Sequence, residues 1–373
     1  MVNMPNSLNQ RPLLTDAHLS LLSPQHPLRA ANTADSAMLQ ALTGRASAHT
    51  PVWFMRQAGR SLPEYRKVRE GIPMLDSCLN PELAAEITVQ PVRRHQVDAG
   101  IFFSDIVVPM KLAGVNVDIV PGRGPVLDVA IDSMSDIDKL PELEDSALDV
   151  IREAVSNTVE QLGSTPLIGF AGAPFTVAAY MVEGGPSRDH LKPRTMMHAN
   201  PEAWAKLAAW AARTSGQFLR AQIEAGASAV QLFDSWAGSL GEADYRRFVQ
   251  EHSATALSMV EEFGVPRIHF GTGTAELLPA MHEAGADVMG VDYRLSLSEA
   301  NRRLGGGIPL QGNIDPALLA SGSEALFAHV DQVLESAQAA PTHIANLGHG
   351  VPPSTDPQVL TDLVSYIHTN TKK

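Results

Sequence analysis

The segment Glu224-Ala-Gly-Ala-Ser-Ala-Val-Gln-Leu-Phe-Asp234 joins the end of a helix to a largely apolar run that stops at an acid. Glycine after the last helical residue suits a left-handed C-cap. An apolar run without strict alternation suits a strand buried on both faces of a parallel sheet. The same grammar returns at Asp98-Ala-Gly-Ile-Phe-Phe-Ser-Asp105 and at Glu283-Ala-Gly-Ala-Asp-Val-Met-Gly-Val-Asp292. Working outward from these three copies gives eight candidate strands: Val52–Met55, Ile101–Ser104, Leu167–Phe170, Ala229–Phe233, Arg267–Phe270, Val288–Val291, Pro309–Gln311 and His343–Ala345. Eight strands alternating with helices predict an α/β fold, a single (β/α)8 TIM barrel. A doubly wound open sheet is the alternative, because periodicity does not report closure.

Polar residues follow the candidate strands: Arg56, Asp105, Gly172, Asp234 with Ser235, Gly271, Asp292, Asn313, and Asn346 with His349. In a barrel these ends converge on one mouth, where active sites sit. Any one of them alone proves little, since something polar must end every apolar run.

Composition narrows the function. The chain has 373 residues, 44% of them hydrophobic, and one cysteine, Cys78. A single cysteine excludes an intramolecular disulfide and a zinc site built from several thiolates. No run is long enough for a membrane span, and no basic-then-apolar leader opens the chain. The expected location is the cytoplasm, with no membrane partner. A net charge of −13 argues against nucleic acid as a partner. It also argues against a polyanionic substrate, unless a local cluster of cations in a cleft overrules the global field. Residues 1–35, rich in Asn, Ser, Pro, Leu and Gln, read as a flexible N-terminal extension. Arginine is too sparse there for a transit peptide. Residues 36–373 form the expected domain.

Arg56 and Arg60 are the candidates for that local charge, in Pro51-Val-Trp-Phe-Met-Arg-Gln-Ala-Gly-Arg60. On a helical turn after Met55, positions four apart would share a face and present two guanidinium forks to carboxylates or phosphates. Gly59 would permit a close approach of backbone or ligand. Two surface arginines in a loop is the plainer reading of this spacing alone. Two further blocks stand out, Gly169-Phe-Ala-Gly-Ala-Pro-Phe-Thr176 with Tyr180-Met-Val-Glu-Gly-Gly185, and Asn346-Leu-Gly-His-Gly350.

The first block resembles the N-terminal signature of the uroporphyrinogen decarboxylase family, Pro-x-Trp-x-Met-Arg-Gln-Ala-Gly-Arg, at every fixed position. The other two resemble that family's second signature and its C-terminal motif. The resemblance runs from about Ser36 to the C-terminus. It implies a (β/α)8 barrel, typically a homodimer, that removes the carboxyl groups of the four acetate arms of uroporphyrinogen and uses no cofactor and no metal. It also implies site roles. The loop Arg56, Gln57, Ala58, Gly59 and Arg60 would bind substrate carboxylates, with Arg56 assisting proton delivery. Asp105 would face the pyrrole NH groups and stabilise the cation formed on ring protonation. Tyr180, Ser235 and His349 would contact the substrate. Each has a structural alternative. Asp105 and Ser235 suit helix N-caps, Tyr180 suits a core aromatic with a bonded hydroxyl, and His349 suits a glycine turn.

Other patterns carry less. Gly271-Thr-Gly-Thr274 lacks the Lys-Ser/Thr of a phosphate loop. Gly169-x-x-Gly172 is not a dinucleotide fingerprint. One rival is a corrinoid- or thiol-dependent methyltransferase on the same barrel, but its His-Cys-Cys zinc set cannot be assembled with Cys78 alone. A non-catalytic tetrapyrrole-binding protein is the other rival. Binding a polyanion gains nothing from a carboxylate such as Asp105 at its centre.

Overall fold

Three long helices begin at an Asn-Pro or Asp-Pro pair. Asn80, Asn200 and Asp356 each accept a backbone N–H of the first turn, ahead of helices Pro81–His95, Pro201–Glu224 and Pro357–Thr371. Proline just inside a helix costs nothing, because its missing N–H would have no intrahelical partner. In the computed structural model, which describes residues 12–30 and 32–373, the first two of these helices pack against strands and the third against the first.

The protein is an α/β fold with a curled, seven-stranded parallel sheet. The strands are β1 (Gly100–Ile101), β4 (Leu167–Gly172), β5 (Ala229–Phe233), β6 (Arg267–Phe270), β7 (Val288–Gly290), β8 (Leu310–Gln311) and β9 (His343–Ile344), and they pair in chain order. A separate antiparallel hairpin, β2 (Val117–Val120) with β3 (Gly124–Leu127), lies between β1 and β4 in sequence and was not foreseen from it. The curl is visible inside the sheet. Trp53 Nε1 donates to Gln311 Oε1 at 2.9 Å, and Gln311 Nε2 donates to Gln231 Oε1 at 2.8 Å. All three side chains are buried, so a polar relay crosses the interior from the Trp53 segment through β8 to β5.

The first candidate strand is only partly realised. Val52 makes an isolated parallel bridge to Ala345, and its carbonyl accepts the Asp98 N–H at 2.8 Å. The Trp53 N–H still reaches the Ala345 carbonyl at 3.3 Å, but the two amides after it leave the ladder, because side chains capture them. Phe54 N–H goes to Gln57 Oε1 and Met55 N–H to Asn346 Oδ1, each at 3.0 Å. The glycine grammar holds at Gly226 and Gly285, both at positive φ just past a helix. It fails at Gly100. There Gln96 takes the left-handed position, while Gly100 opens β1 with the Leu162 side chain 3.1 Å from where a Cβ would lie.

The N-terminal segment corrects an expectation. Met1–Arg11 lie outside the described residues, but from residue 12 the expected flexible extension packs on the body. Leu22 and Leu28 are buried, His26 Nε2 meets the Ile223 carbonyl at 2.9 Å, and Thr33 bonds Ser228 at 3.1 Å. A few well-spaced leucines suffice to hold the strap, and average composition does not register them.

At the amino ends of the strands Asp98 ties three segments together. His49 Nε2 meets its Oδ1 at 2.8 Å, His368 Nε2 meets Oδ2 at 2.7 Å, and the Val52 N–H donates to Oδ2 at 2.7 Å. Burial pushes the Asp98 carboxyl up, but the His368 and His49 hydrogen bonds outweigh it and leave the group below its ordinary range. The bond to Asp98 raises His49 above its ordinary value. Stability from a raised histidine is full below its unfolded pKa of 6.5 and fades as pH rises through the folded value. Stability from the depressed Asp98 is present above its unfolded pKa and fades as pH falls through the folded value. The gap in melting temperature between wild type and His49→Ala should therefore be widest between about pH 5 and 6.5, equivalent to roughly 1 kcal/mol, and narrow above. A gap that stays constant from pH 5 to 9 would remove the charge from this account.

Candidate active site

Arg56 sits at the turn where the Val52 segment leaves the sheet, with φ at +62°. Left-handed backbone costs a side-chain-bearing residue roughly 1–2 kcal/mol. The surroundings impose it. Gln57 is fully buried, its Oε1 holding the Phe54 amide and its Nε2 donating to the Ala99 carbonyl at 3.1 Å. The expected helical turn is therefore absent, since the first helix after this loop is Pro63–Val68. Arg56 and Arg60 are both exposed at the carboxyl ends of the strands. Gly59 serves a backbone approach, because a Cβ there would lie 2.9 Å from the Arg56 carbonyl. Ala58 packs against the core. Of the five loop residues expected to bind substrate, Gln57 instead spends its side chain on the loop itself.

Asp105 follows β1 and is half-buried. Its Oδ1 accepts the Val107 N–H at 3.1 Å, a local turn ahead of helix Val108–Ala113. Among the described residues no side chain bonds either of its oxygens. Burial raises its pKa, while the Val107 amide and the Arg56 charge oppose the rise. The helix is capped at Val107 with no side-chain cap bond, so Asp105 holds a turn ahead of it and does not act as its N-cap.

Tyr180 lies on helix Pro174–Glu183, directly after β4. Its ring stacks on Trp236 at 3.8 Å between centroids. Trp236 in turn contacts His190 at 4.2 Å. No described residue bonds the Tyr180 hydroxyl. Burial, then the Asp105 charge, pushes its pKa up to about 12. The phenol is protonated at neutral pH and can donate. Ser235 is half-buried beside Trp236, where its carbonyl accepts the Thr272 hydroxyl at 2.8 Å. Below them Thr176 donates to the buried Asp234 at 2.8 Å, which pins the β5 end to the helix that carries Tyr180.

His349 is exposed between Gly348 and Gly350. The Gly350 N–H donates to its Nδ1 at 2.7 Å, which assigns the single ring proton of the neutral imidazole to Nε2. Burial, then the charges of Arg56 and Arg294, hold the imidazole below its ordinary value. It is therefore a neutral donor. The Arg56 charge thus reaches Asp105, Tyr180 and His349 alike.

Other strand-end residues face inward. Asn346 Oδ1 holds the Met55 and Leu347 amides, and Asn313 Nδ2 donates to the Asp292 carbonyl at 2.9 Å. Trp236 and Arg294, both at this edge, were not singled out from the sequence. Only adjacency to Ser235 and Asp292 pointed to them. Cys78 is buried, and burial drives its thiol well above the ordinary value. Among the described residues the one compact His/Asp group that could hold a metal is His49, Asp98 and His368, at the amino ends of the strands. Both imidazoles there already engage Asp98.

Fold and site together define an α/β protein whose strands carry, at their carboxyl ends, cationic forks, a neutral imidazole, a phenol and a half-buried carboxylate. The chain belongs to the uroporphyrinogen decarboxylase (URO-D) family, whose model matches residues 33–370. It is 68% identical to the uroporphyrinogen decarboxylase of Arthrobacter sp. strain FB24, over 90% of this chain and 98% of that one. It is 57% identical to that of Leifsonia xyli subsp. xyli, over 94% and 98%. Among solved structures, a methyltransferase from Methanosarcina mazei superposes with a TM-score of 0.75 over 91% of this chain and 99% of that one. At 18% identity that likeness concerns the fold alone.

Proposed function

We propose that this protein decarboxylates the four acetate arms of uroporphyrinogen III, giving coproporphyrinogen III for haem biosynthesis, without a cofactor. The observation that carries the reading is the grouping of Arg56, Asp105, Tyr180 and His349 at one edge, in a member of this family. A proton adds to a pyrrole α-carbon and leaves a cation. The bond from the acetate methylene to its carboxylate breaks, carbon dioxide departs, and the electron pair neutralises the ring. A second proton reaches the methylene carbon, and loss of the α-carbon proton restores the pyrrole as a methylpyrrole. Each acetate thus exchanges carbon dioxide for one proton. Asp105 accepts the pyrrole NH groups and balances the cation through its negative charge. Arg56, Arg60 and the Nε2–H of His349 take carboxylates. Tyr180 and Ser235 complete the walls.

The same reading closes the sheet. The Val52 segment, bonded to Ala345 on one side and Asp98 on the other, serves as the eighth strand of a (β/α)8 barrel spanning residues 36–373. The strap before residue 36 braces its outside. A homodimer in the cytoplasm belongs to this proposal and rests on the family. No helix among the described residues is long and apolar enough to cross a membrane. The methyltransferase alternative has no supporting thiolate, since Cys78 is buried and protonated.

Protein treated with a chelator should convert uroporphyrinogen to coproporphyrinogen under anaerobic conditions at the untreated rate. Activity lost to the chelator and restored by zinc would overturn the cofactor-free reading. No carbon dioxide release in either sample would overturn the decarboxylase.

A further inference from the structure

Gly348 and Gly350 make room for different neighbours. A Cβ on Gly348 would lie 2.2 Å from the Tyr293 backbone nitrogen, and one on Gly350 would lie 2.4 Å from Arg56 Cδ. The His349 loop is therefore wedged between Arg56 on one side and the Tyr293-Arg294 backbone on the other. Arg294 is half-exposed. Its guanidinium lies over the Tyr293 ring, 4.4 Å from the centroid, and its Nη1 donates to Asp292 Oδ2 at 2.6 Å. Asp292 is itself held fast, by the Gly273 amide at 2.5 Å and the Arg294 amide at 3.0 Å.

A guanidinium offers five N–H donors in a rigid fork, and Asp292 takes one. Neutralising the buried Asp292 would not require the rest of the fork to face solvent at the mouth. The charge of Arg294 reaches the His349 imidazole as that of Arg56 does. We propose that Arg294 is a third arginine anchor, binding beside His349 one propionate arm, which substrate and product share. This rests on the reading of the mouth as a polycarboxylate site. It also eases the conflict between a net charge of −13 and an anionic substrate. Asp292 fixes the fork before the substrate arrives, so little side-chain entropy remains to be lost on binding.

The test is anaerobic equilibrium binding of coproporphyrinogen to wild type and Arg294→Gln, with turnover and thermal melting alongside. A charge-assisted bond lost from bound substrate and transition state alike should weaken binding and raise KM by roughly tenfold or more. The value of kcat should stay within about threefold. Product affinity within twofold of wild type overturns the proposal. If Arg294→Gln melts early, Arg294→Lys keeps a cation for Asp292 but loses the fork, and an unchanged affinity in that folded variant overturns it equally. A wild type that binds the product but releases no carbon dioxide would sink the decarboxylase reading, and the affinities would still judge Arg294. A wild type that binds no product would overturn both.

Discussion

Asp105→Asn should fold, hold the macrocycle and turn it over at least about a hundredfold more slowly, if its charge is worth a typical oxyanion-hole donor. The fold should survive because an Asn oxygen can still accept the Val107 amide, which Asp105 Oδ1 does now. Binding should survive because size is kept and the carboxylate clamps lie elsewhere. Charge is what the variant lacks. The cation formed on ring protonation would face a neutral amide, and the loss should fall on kcat. Asp105→Glu should be poor as well, since one more methylene pushes the carboxylate into the space of the macrocycle. Single-turnover decarboxylation by the Asn variant, with product affinity and melting temperature, is the measurement. A near-wild-type rate would show the charge to be dispensable. An unfolded variant would give the residue back to the turn ahead of helix Val108–Ala113.

Arg56→Lys is the second large effect. Lysine keeps the charge and adds no backbone strain beyond that which Arg56 already bears at its positive φ. It cannot present a planar fork. Each charge-assisted bond lost should cost roughly 1.5–3 kcal/mol, or about ten- to 150-fold in kcat/KM. Melting should change little, because Arg56 is exposed and bears on the structure mainly where its stem meets Gly350. Unaltered kinetics would remove Arg56 from carboxylate recognition, and a large fall in melting temperature would make it structural.

Residue order along the chain was enough for the layout. Strands buried on both faces leave largely apolar runs, so β4, β5 and β7 could be read directly from them. Asn-Pro and Asp-Pro pairs mark helix starts through local chemistry alone. The blocks around Arg56, Tyr180 and His349 are legible for a related reason, since their residue types and spacing carry the family's pattern. Short elements were less legible. The Val52 run spends its amides on Gln57 and Asn346, so apolar character there did not become a strand. The hairpin β2–β3 and the packed strap before residue 36 have too few apolar residues to announce themselves.

Tertiary structure decided which polar residues face the site. Gln57, Asp234, Asp292 and Asn346 look alike in sequence to the residues that stay open. Gln57 is consumed by Phe54 and Ala99 and Asp292 by Gly273 and Arg294, while Asp234 and Asn346 are buried with one oxygen each held, by Thr176 and by Met55. Asp105 and Tyr180 stay half-exposed at the strand ends, with no side chain bonded to the carboxylate or to the phenol hydroxyl. A buried polar group must find a partner, and here the partner often comes from tens to hundreds of residues away, as Asn346 does for Met55. That choice depends on which elements the curled sheet brings together, so neither residue type nor local spacing encodes it.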